Sequence, residues 1–444
     1  MSVPLRLWVR FFPVAVSDVV ADTKNWTMTW RMTSNGEQMS IGKDGQSLLP
    51  IILLSAAGFT VLTTEFIIVG LLPAVAMDLH VSILQAGLLV TLFAFTVAVV
   101  GPPLTAHLSR FERKRLFVIT MLLFALSNVL AATAPNFGVM AFARFIPALA
   151  LPVFWSLASD TAVQIMGHEK AGKAVSMVGF GIVLATIFGI PIGTLISHAY
   201  GWRTAFGVIA CLALGKALSL LWFLPKMTLE QERVPVVRQM RILRNPTIMG
   251  HVLLSLLIFA GMFTAYTYLA DTLERIGGFD GGMVGWILLG FGGVGLIGNW
   301  LGGRMVDWSP LGATMLFAAP MALGIVILAP VVKMYGPMVA ALTIWGIAQS
   351  ALFTVCHARV MKAARATPAI GASLNISGCN IGIGLGAIIG GRVIDHFGLS
   401  DVGLAAGMVI VLAITMGALL AFTMRTPASG VPKKANPCAA GCET

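Results

Sequence analysis

Few residues of this chain can do chemistry, and the first of them is Glu65. It stands in an apolar run over 53–69, flanked by Val61, Leu62, Phe66, Ile67, Ile68 and Val69. An ionised carboxylate at the centre of a bilayer costs about 2.5–3.5 kcal/mol on insertion scales. Desolvation disfavours its charged form, so the chemistry open to Glu65 is proton coupling: uptake from one side and release, displaced by substrate or a nearby cation, to the other. The competing reading is a protonated structural carboxyl bonded to a neighbouring helix. Arg144 is the second such residue, about seven positions into another apolar run, where an arginine must pair or face water. Trp155, Tyr266, Tyr268, Asn299, Gln349 and Asn375 also interrupt apolar runs. Each is a candidate to line a substrate cavity, with ordinary packing as the alternative.

The elements that carry these residues are membrane spans. Of 444 residues, 57% are hydrophobic and 11% charged, where soluble domains average about 25% charged; mean hydropathy is +0.90. Twelve stretches approach the ~20 apolar residues that cross ~30 Å of hydrocarbon. They lie near 50–76, 84–106, 115–134, 137–163, 174–197, 204–224, 247–270, 283–306, 312–332, 336–358, 369–394 and 401–423. Continuous helices are the expected form, because lipid cannot satisfy open backbone groups. The fold class is therefore an all-α polytopic membrane protein.

Lys and Arg orient the spans. With both termini inside, the inner connections and the tail carry Arg110, Arg113, Lys114, Arg115, Lys170, Lys173, the five basic residues between Lys226 and Arg244, Arg304, Arg359, Lys362, Arg365, Arg425, Lys433 and Lys434. The opposite side carries Arg203, Arg275, Lys333 and Arg392. This bias predicts cytoplasmic termini, and it assigns the net charge of +11 to topology rather than to nucleic acid.

The connection at 225–246, with Pro225, Pro235 and Pro246, divides the chain into six spans at 48–224 and six at 247–424. Gly189, Gly193 and Gly201 recur with the same spacing as Gly386, Gly390 and Gly398, a repeat that predicts two pseudo-symmetric halves with substrate bound between them. Residues 1–47 read as a loose cytoplasmic extension, with Met39 a plausible alternative start, and 425–444 as a cytoplasmic tail. Cys211, Cys356 and Cys379 lie in apolar segments and read as packed side chains. The seven histidines fall mostly at segment ends, and no His-Glu-x-x-His, Cys-x-x-Cys or Walker sequence is present. No catalytic residue, metal or cofactor is expected, and uphill transport has to draw on an ion gradient.

Several motifs resemble the major facilitator superfamily, and within it the drug–proton antiporters and arabinose-type efflux permeases of bacteria. Thr64-Glu65-Phe66 with Gly70-Leu71-Leu72-Pro73 is similar to that group's first helix. Gly189-Ile190-Pro191-Ile192-Gly193-Thr194, closing in Gly201-Trp202-Arg203, is similar to the exporters' fifth-helix motif. Arg144 is similar to the family's buried arginine. The loop from Gly101 through Arg110 and Arg113 keeps the basic end of the family's gating motif without its aspartate, whereas Gly303-Arg304-Met305-Val306-Asp307 retains it.

The resemblance covers about residues 48–424. It implies twelve helices in two halves and a monomer in the bacterial inner membrane. It also implies export of a drug, sugar or nucleoside by proton antiport, with Glu65 as the proton-coupling residue. Proton symport or passive import is the alternative; a membrane-embedded enzyme or sensor lacks the converging His or Asp clusters it would need. Gly189, Pro191 and Gly193 permit a bend and close helix contact, and the basic cluster at 110–115 is either a latch between halves or a topology anchor.

Overall fold

The computed structural model describes residues 48–425 apart from 109–110, 168–170, 226–243 and 365–367. The extension at 1–47, most of the 225–246 linker, Arg110 and nearly all of the tail lie outside the described residues. Among those described, twelve helices are long and apolar enough to cross a membrane. They are α1 (Leu49–Asp78), α2 (Ile83–Leu108), α3 (Arg113–Ala132), α4 (Phe137–Met166), α5 (Ala171–Leu184, a π turn over Ala185–Gly189, then Ile190–Tyr200) and α6 (Trp202–Phe223). The second half holds α7 (Pro246–Tyr266, continued by Leu269–Asp271 and a π turn over Thr272–Ile276), α8 (Gly281–Trp308), α9 (Pro310–Val331), α10 (Tyr335–Ala363), α11 (Pro368–His396) and α12 (Val402–Arg425). At 1.5 Å per residue, the longest reach about 45 Å, enough to clear the hydrocarbon at both faces.

Local sequence explains the ends. Ser82 and Gln85 satisfy each other's backbone N–H at the start of α2, at 2.9 and 3.1 Å, a reciprocal capping box. Asn136, Asn245, Asp280 and Ser309 cap α4, α7, α8 and α9 by accepting amide N–H groups of the first turn. The π turn in α5 precedes Pro191, which has no N–H for the carbonyl of Ile187. The wide turn takes up that missing bond.

The chain packs as two six-helix halves whose internal pairings repeat: α1 with α5 and α7 with α11, α3 with α6 and α9 with α12. The repeated glycines seat the first two pairings. Gly189 and Gly193 face Thr63 and Ile67 on α1, and Gly386 and Gly390 lie on the backbone of α7 at Ala260 and Thr264. The fifth-helix motif therefore joins helices of one half.

The helix ends at Arg113–Arg115 of α3, Lys173 of α5, Arg304 of α8 and Lys362 of α10 define one end of the bundle, here termed the basic end. The halves meet towards the opposite, far end. There Thr91 Oγ1 of α2 donates to the Gly384 carbonyl of α11 at 3.1 Å, and His198 of α5 lies 3.7 Å from Asp280, the α8 cap. Gly292 of α8 nests on the α5 π turn so closely that a methyl group there would lie 2.8 Å from both Ile187 Cα and Thr186 O.

Three expectations change. Arg113 begins α3 and is fully buried, ion-paired with Asp160 of α4 and also donating to Leu157 O at 3.3 Å and Thr161 Oγ1 at 3.4 Å; it clamps two helices of its own half rather than latching the halves together. Arg359, expected in a connection, lies inside α10 and is buried, because that helix runs on to Ala363. His251 and His357 likewise sit within α7 and α10 rather than at their ends.

Candidate functional site

Glu65 is the seventeenth of the thirty residues of α1, level with the middle of the bundle, and is 8% exposed. Four helices converge on the peptide group beside it. Arg144 of α4 donates from Nη1 to the Thr64 carbonyl and from Nη2 to the Glu65 carbonyl. Its guanidinium lies 4.7 Å from the centroid of Phe93 on α2, a favourable cation–π position. Asn128 of α3 donates to Thr64 Oγ1 at 3.2 Å and to Phe124 O at 2.7 Å, while Thr64 Oγ1 donates back to Thr60 O at 2.9 Å. The planar fork of an arginine suits two adjacent acceptors.

The consequence for Glu65 is chemical. Among the described residues no hydrogen bond or ion pair holds its carboxylate, although a guanidinium is anchored on its own backbone carbonyl. A mid-membrane carboxyl that is not tied to protein donors remains available for a proton. The site thus holds one fixed cation and one titratable acid side by side.

Across the interface, Phe66 meets Phe263 of α7 with ring centroids 5.7 Å apart. Aromatic contacts continue from Phe263 to Tyr266 at 5.5 Å, to Phe291 of α8 at 5.8 Å and to Trp345 of α10 at 5.4 Å. Trp345 Nε1 donates to Gln349 Oε1 at 2.8 Å, leaving the Gln349 amide nitrogen for another acceptor. Phe66, Phe263, Tyr266, Phe291, Trp345 and Gln349 thus form one run of contacts that begins at the residue next to Glu65 in the chain and reaches Tyr266 and Gln349 in the other half.

Other candidates lie apart from that run. Trp155 packs edge-on against Phe154 at 5.4 Å and beside Gly58, where a methyl would fall 2.9 Å from its ring. Asn299 of α8 accepts from Thr354 of α10, and Asn375 of α11 lies 3.4 Å from His357 Nδ1; both tie helices of the second half. Tyr268 does not line a cavity. It is fully buried, its hydroxyl donates to Ala387 O at 2.6 Å, and it fills the space left by Gly87 of α2 and Gly391 of α11. The interruption of α7 at Thr267–Tyr268 turns it into this seam.

Gly101 abuts Pro152 within the first half, with a methyl there falling 2.9 Å from the ring. Gly303 faces open space, and Asp307 pairs with Lys362 at 2.9 Å. Sequence reasoning gave no role to Phe93 or Phe263, which nothing set apart among the 25 phenylalanines of the chain, and named Phe66 only as part of the first-helix motif.

The family model of the Major Facilitator Superfamily matches residues 54–379. The chain belongs to that superfamily. It is 33% identical over 380 residues to the uncharacterized MFS-type transporter YtbD of Bacillus subtilis (strain 168), covering 84% of this chain and 95% of the relative. It is 30% identical over 357 residues to a protein of Mannheimia succiniciproducens named as a probable sugar efflux transporter, covering 80% and 89%. The fold is shared with a D-xylose-proton symporter at TM-score 0.66 and 17% identity, over 83% of this chain and 97% of that one. It is also shared with an inward-facing, occupied bacterial Spinster homologue at TM-score 0.68 and 16% identity, over 85% and 96%. This superfamily member is a multi-pass membrane protein with twelve spans that transports a small solute.

Proposed function

We propose that the protein exports a small organic solute, a sugar or similarly sized drug or nucleoside, across the bacterial cytoplasmic membrane in exchange for protons. The observation that carries this reading is the unheld Glu65 carboxylate beside the anchored Arg144 guanidinium. Glu65 takes a proton when the cavity faces outside and loses it to the cytoplasm, where substrate then binds against the aromatic and amide groups of Tyr266 and Gln349. Basic connections on one face support cytoplasmic termini. With that orientation, the far end where the halves meet is the outer end, and the structure corresponds to a cytoplasm-facing state. A relative named for sugar efflux supports the direction.

The test is transport in inverted vesicles with and without a proton gradient, over a panel of labelled sugars, nucleosides and antibiotics. Glu65→Gln keeps shape and hydrogen bonding but cannot titrate. Concentrative uptake into the vesicles should vanish in this variant while downhill exchange persists. Gradient-driven accumulation with unchanged pH dependence in Glu65→Gln would refute the coupling role.

A further inference from the structure

Among the described residues two carboxylates are buried, Glu65 and Asp271, the latter only 1% exposed. Asp271 ends the short segment Leu269–Asp271, where α7 resumes after its interruption, and leads into the π turn over Thr272–Ile276. That segment packs against α1 of the other half, at the far end. A carboxylate within a membrane span is costly and needs a partner or a function, and π turns are frequent at functional sites.

The partners of Asp271 meet one of its oxygens. Oδ2 accepts from Arg275 Nη1 at 3.3 Å, a single contact with a guanidinium that is itself exposed. Oδ1 is buried and receives no hydrogen bond. Every connection at the far end lies among the described residues, so no loop of that end is left to supply a donor. Glu274, half-buried and three residues on, adds a second acid within reach of the Asp271 charge. Tyr268, also within reach, spends its hydroxyl on Ala387 O. The remaining charged groups around the segment are Asp78 of α1, held by Arg203; Asp280 before α8, beside His198; Arg392 and Asp395 of α11; Lys333 after α9; and Asp401 before α12. Acids outnumber bases there.

A water at Oδ1 would satisfy the atom and leave the charge; a proton removes the charge. We infer that Asp271 is a second proton-binding carboxyl, which takes up a proton from the far side when the halves close there. With that end open, water reaches Oδ1 and the ionised carboxylate pairs with Arg275. Closing strips the water away, so acid favours the closed far end. The inference goes beyond the proposed exchange and uses no step at Glu65.

The test is the far-end separation of the full chain in detergent, read by pulsed electron resonance. Spin labels are placed at Met77→Cys on α1 and Phe397→Cys after α11, both exposed, in a background without the native cysteines. As the pH falls across about 8 to 5, the ratio of short to long distances should rise by up to about tenfold per pH unit, the limit for one proton. Asp271→Asn should remove that response and hold the short distance at every pH, and Asp271→Glu should restore the response. Glu65→Gln and His198→Gln should keep it. Because Asp271→Asn can also misfold, Glu274→Gln gives a second reading: loss of a negative neighbour should move the midpoint about 0.2–0.4 pH unit lower. Distances in the wild type that ignore pH, a response that survives in Asp271→Asn, or an unmoved midpoint in Glu274→Gln would overturn the inference. So would loss of the response in His198→Gln, which assigns it to the pair with Asp280, or in Glu65→Gln, which assigns it to the mid-membrane site.

Discussion

Gly292→Ala should shift the protein away from the state seen here, and the size of the shift follows from the geometry. The added methyl would lie 2.8 Å from Ile187 Cα and from Thr186 O, both backbone atoms of the α5 π turn. Carbon atoms in favourable contact sit about 3.5–4.0 Å apart, so the two helices must separate by a large fraction of an ångström. Overpacking of this kind costs about 1–3 kcal/mol, a change of about 5- to 150-fold in a two-state ratio. The cost falls only on the state in which α5 and α8 touch across the halves. The neighbouring Gly293 meets nothing within 4 Å, so Gly293→Ala is the matched control. Spin labels at Tyr200→Cys and Met283→Cys, both exposed near the far end, in a background without the native cysteines, report the α5–α8 separation by pulsed electron resonance. Gly292→Ala should move the population to longer distances while Gly293→Ala leaves it in place. An unchanged distribution in Gly292→Ala, or equal shifts in both variants, would refute the reasoning.

Three further outcomes are expected. Arg144→Lys keeps the charge but loses the fork across the Thr64 and Glu65 carbonyls; substrate affinity should fall by about tenfold, for the loss of one charge-assisted hydrogen bond, and wild-type affinity by equilibrium binding would remove Arg144 from the site. Asp160→Asn removes the carboxylate paired with the wholly buried Arg113 and leaves it neutral acceptors, the new amide oxygen, Thr161 Oγ1 and the Leu157 carbonyl, so the melting temperature in detergent should drop, whereas Lys362→Gln, which breaks the exposed pair with Asp307, should hardly change it. Glu65→Gln and Gly292→Ala should act non-additively on the α5–α8 distance distribution; additive effects in the double variant would uncouple the carboxylate from the gate.

What was legible in the sequence was what lipid enforces. Long apolar runs could only be helices, and twelve of them are found; the 225–246 connection and the glycine repeat suggested two sets of six, and the glycines of the repeat do seat matching helix pairs, α1 with α5 and α7 with α11. Span ends were misjudged where polar residues continue a helix, and α10 shows why: Arg359 reads as a loop residue because of its charge, yet the turn of α7 at His251 and Ser255 and the Thr314 hydroxyl give it buried acceptors. Glu65 and Arg144 were visible as costly charges. Their relation was not, since the guanidinium grips backbone carbonyls, which every residue has. Tyr268 and Tyr266 read alike two positions apart, and only the interruption of α7 between Tyr266 and Leu269 turns one towards Phe291 and the other into the seam beside Gly87.

The proposed coupling of Glu65 to the α5–α8 contact has a physical route, because the neighbours of Glu65 on α1 and Gly292 of α8 rest on one short stretch of α5. Two residues before Glu65, Thr63 packs on Gly189, the last residue of the π turn, and Ile67, two residues after it, packs on Gly193. The opposite side of that π turn, at Thr186 and Ile187, is where Gly292 of the other half nests. A π turn is a helix segment with an alternative: it can revert towards α geometry at the cost of the bond that Pro191 cannot make. Discharging or charging Glu65 changes the pull of Arg144 on α1, since a free carboxylate competes with the two carbonyls for the guanidinium. Rotation of α1 at Thr63 then bears on the π turn directly, with no intervening side chain to absorb it, because Gly189 has none. Tight intra-half packing is thus compatible with a gating role: under the proposed function, the glycines that fix α5 to α1 are the ones through which a proton on Glu65 would be felt at α8.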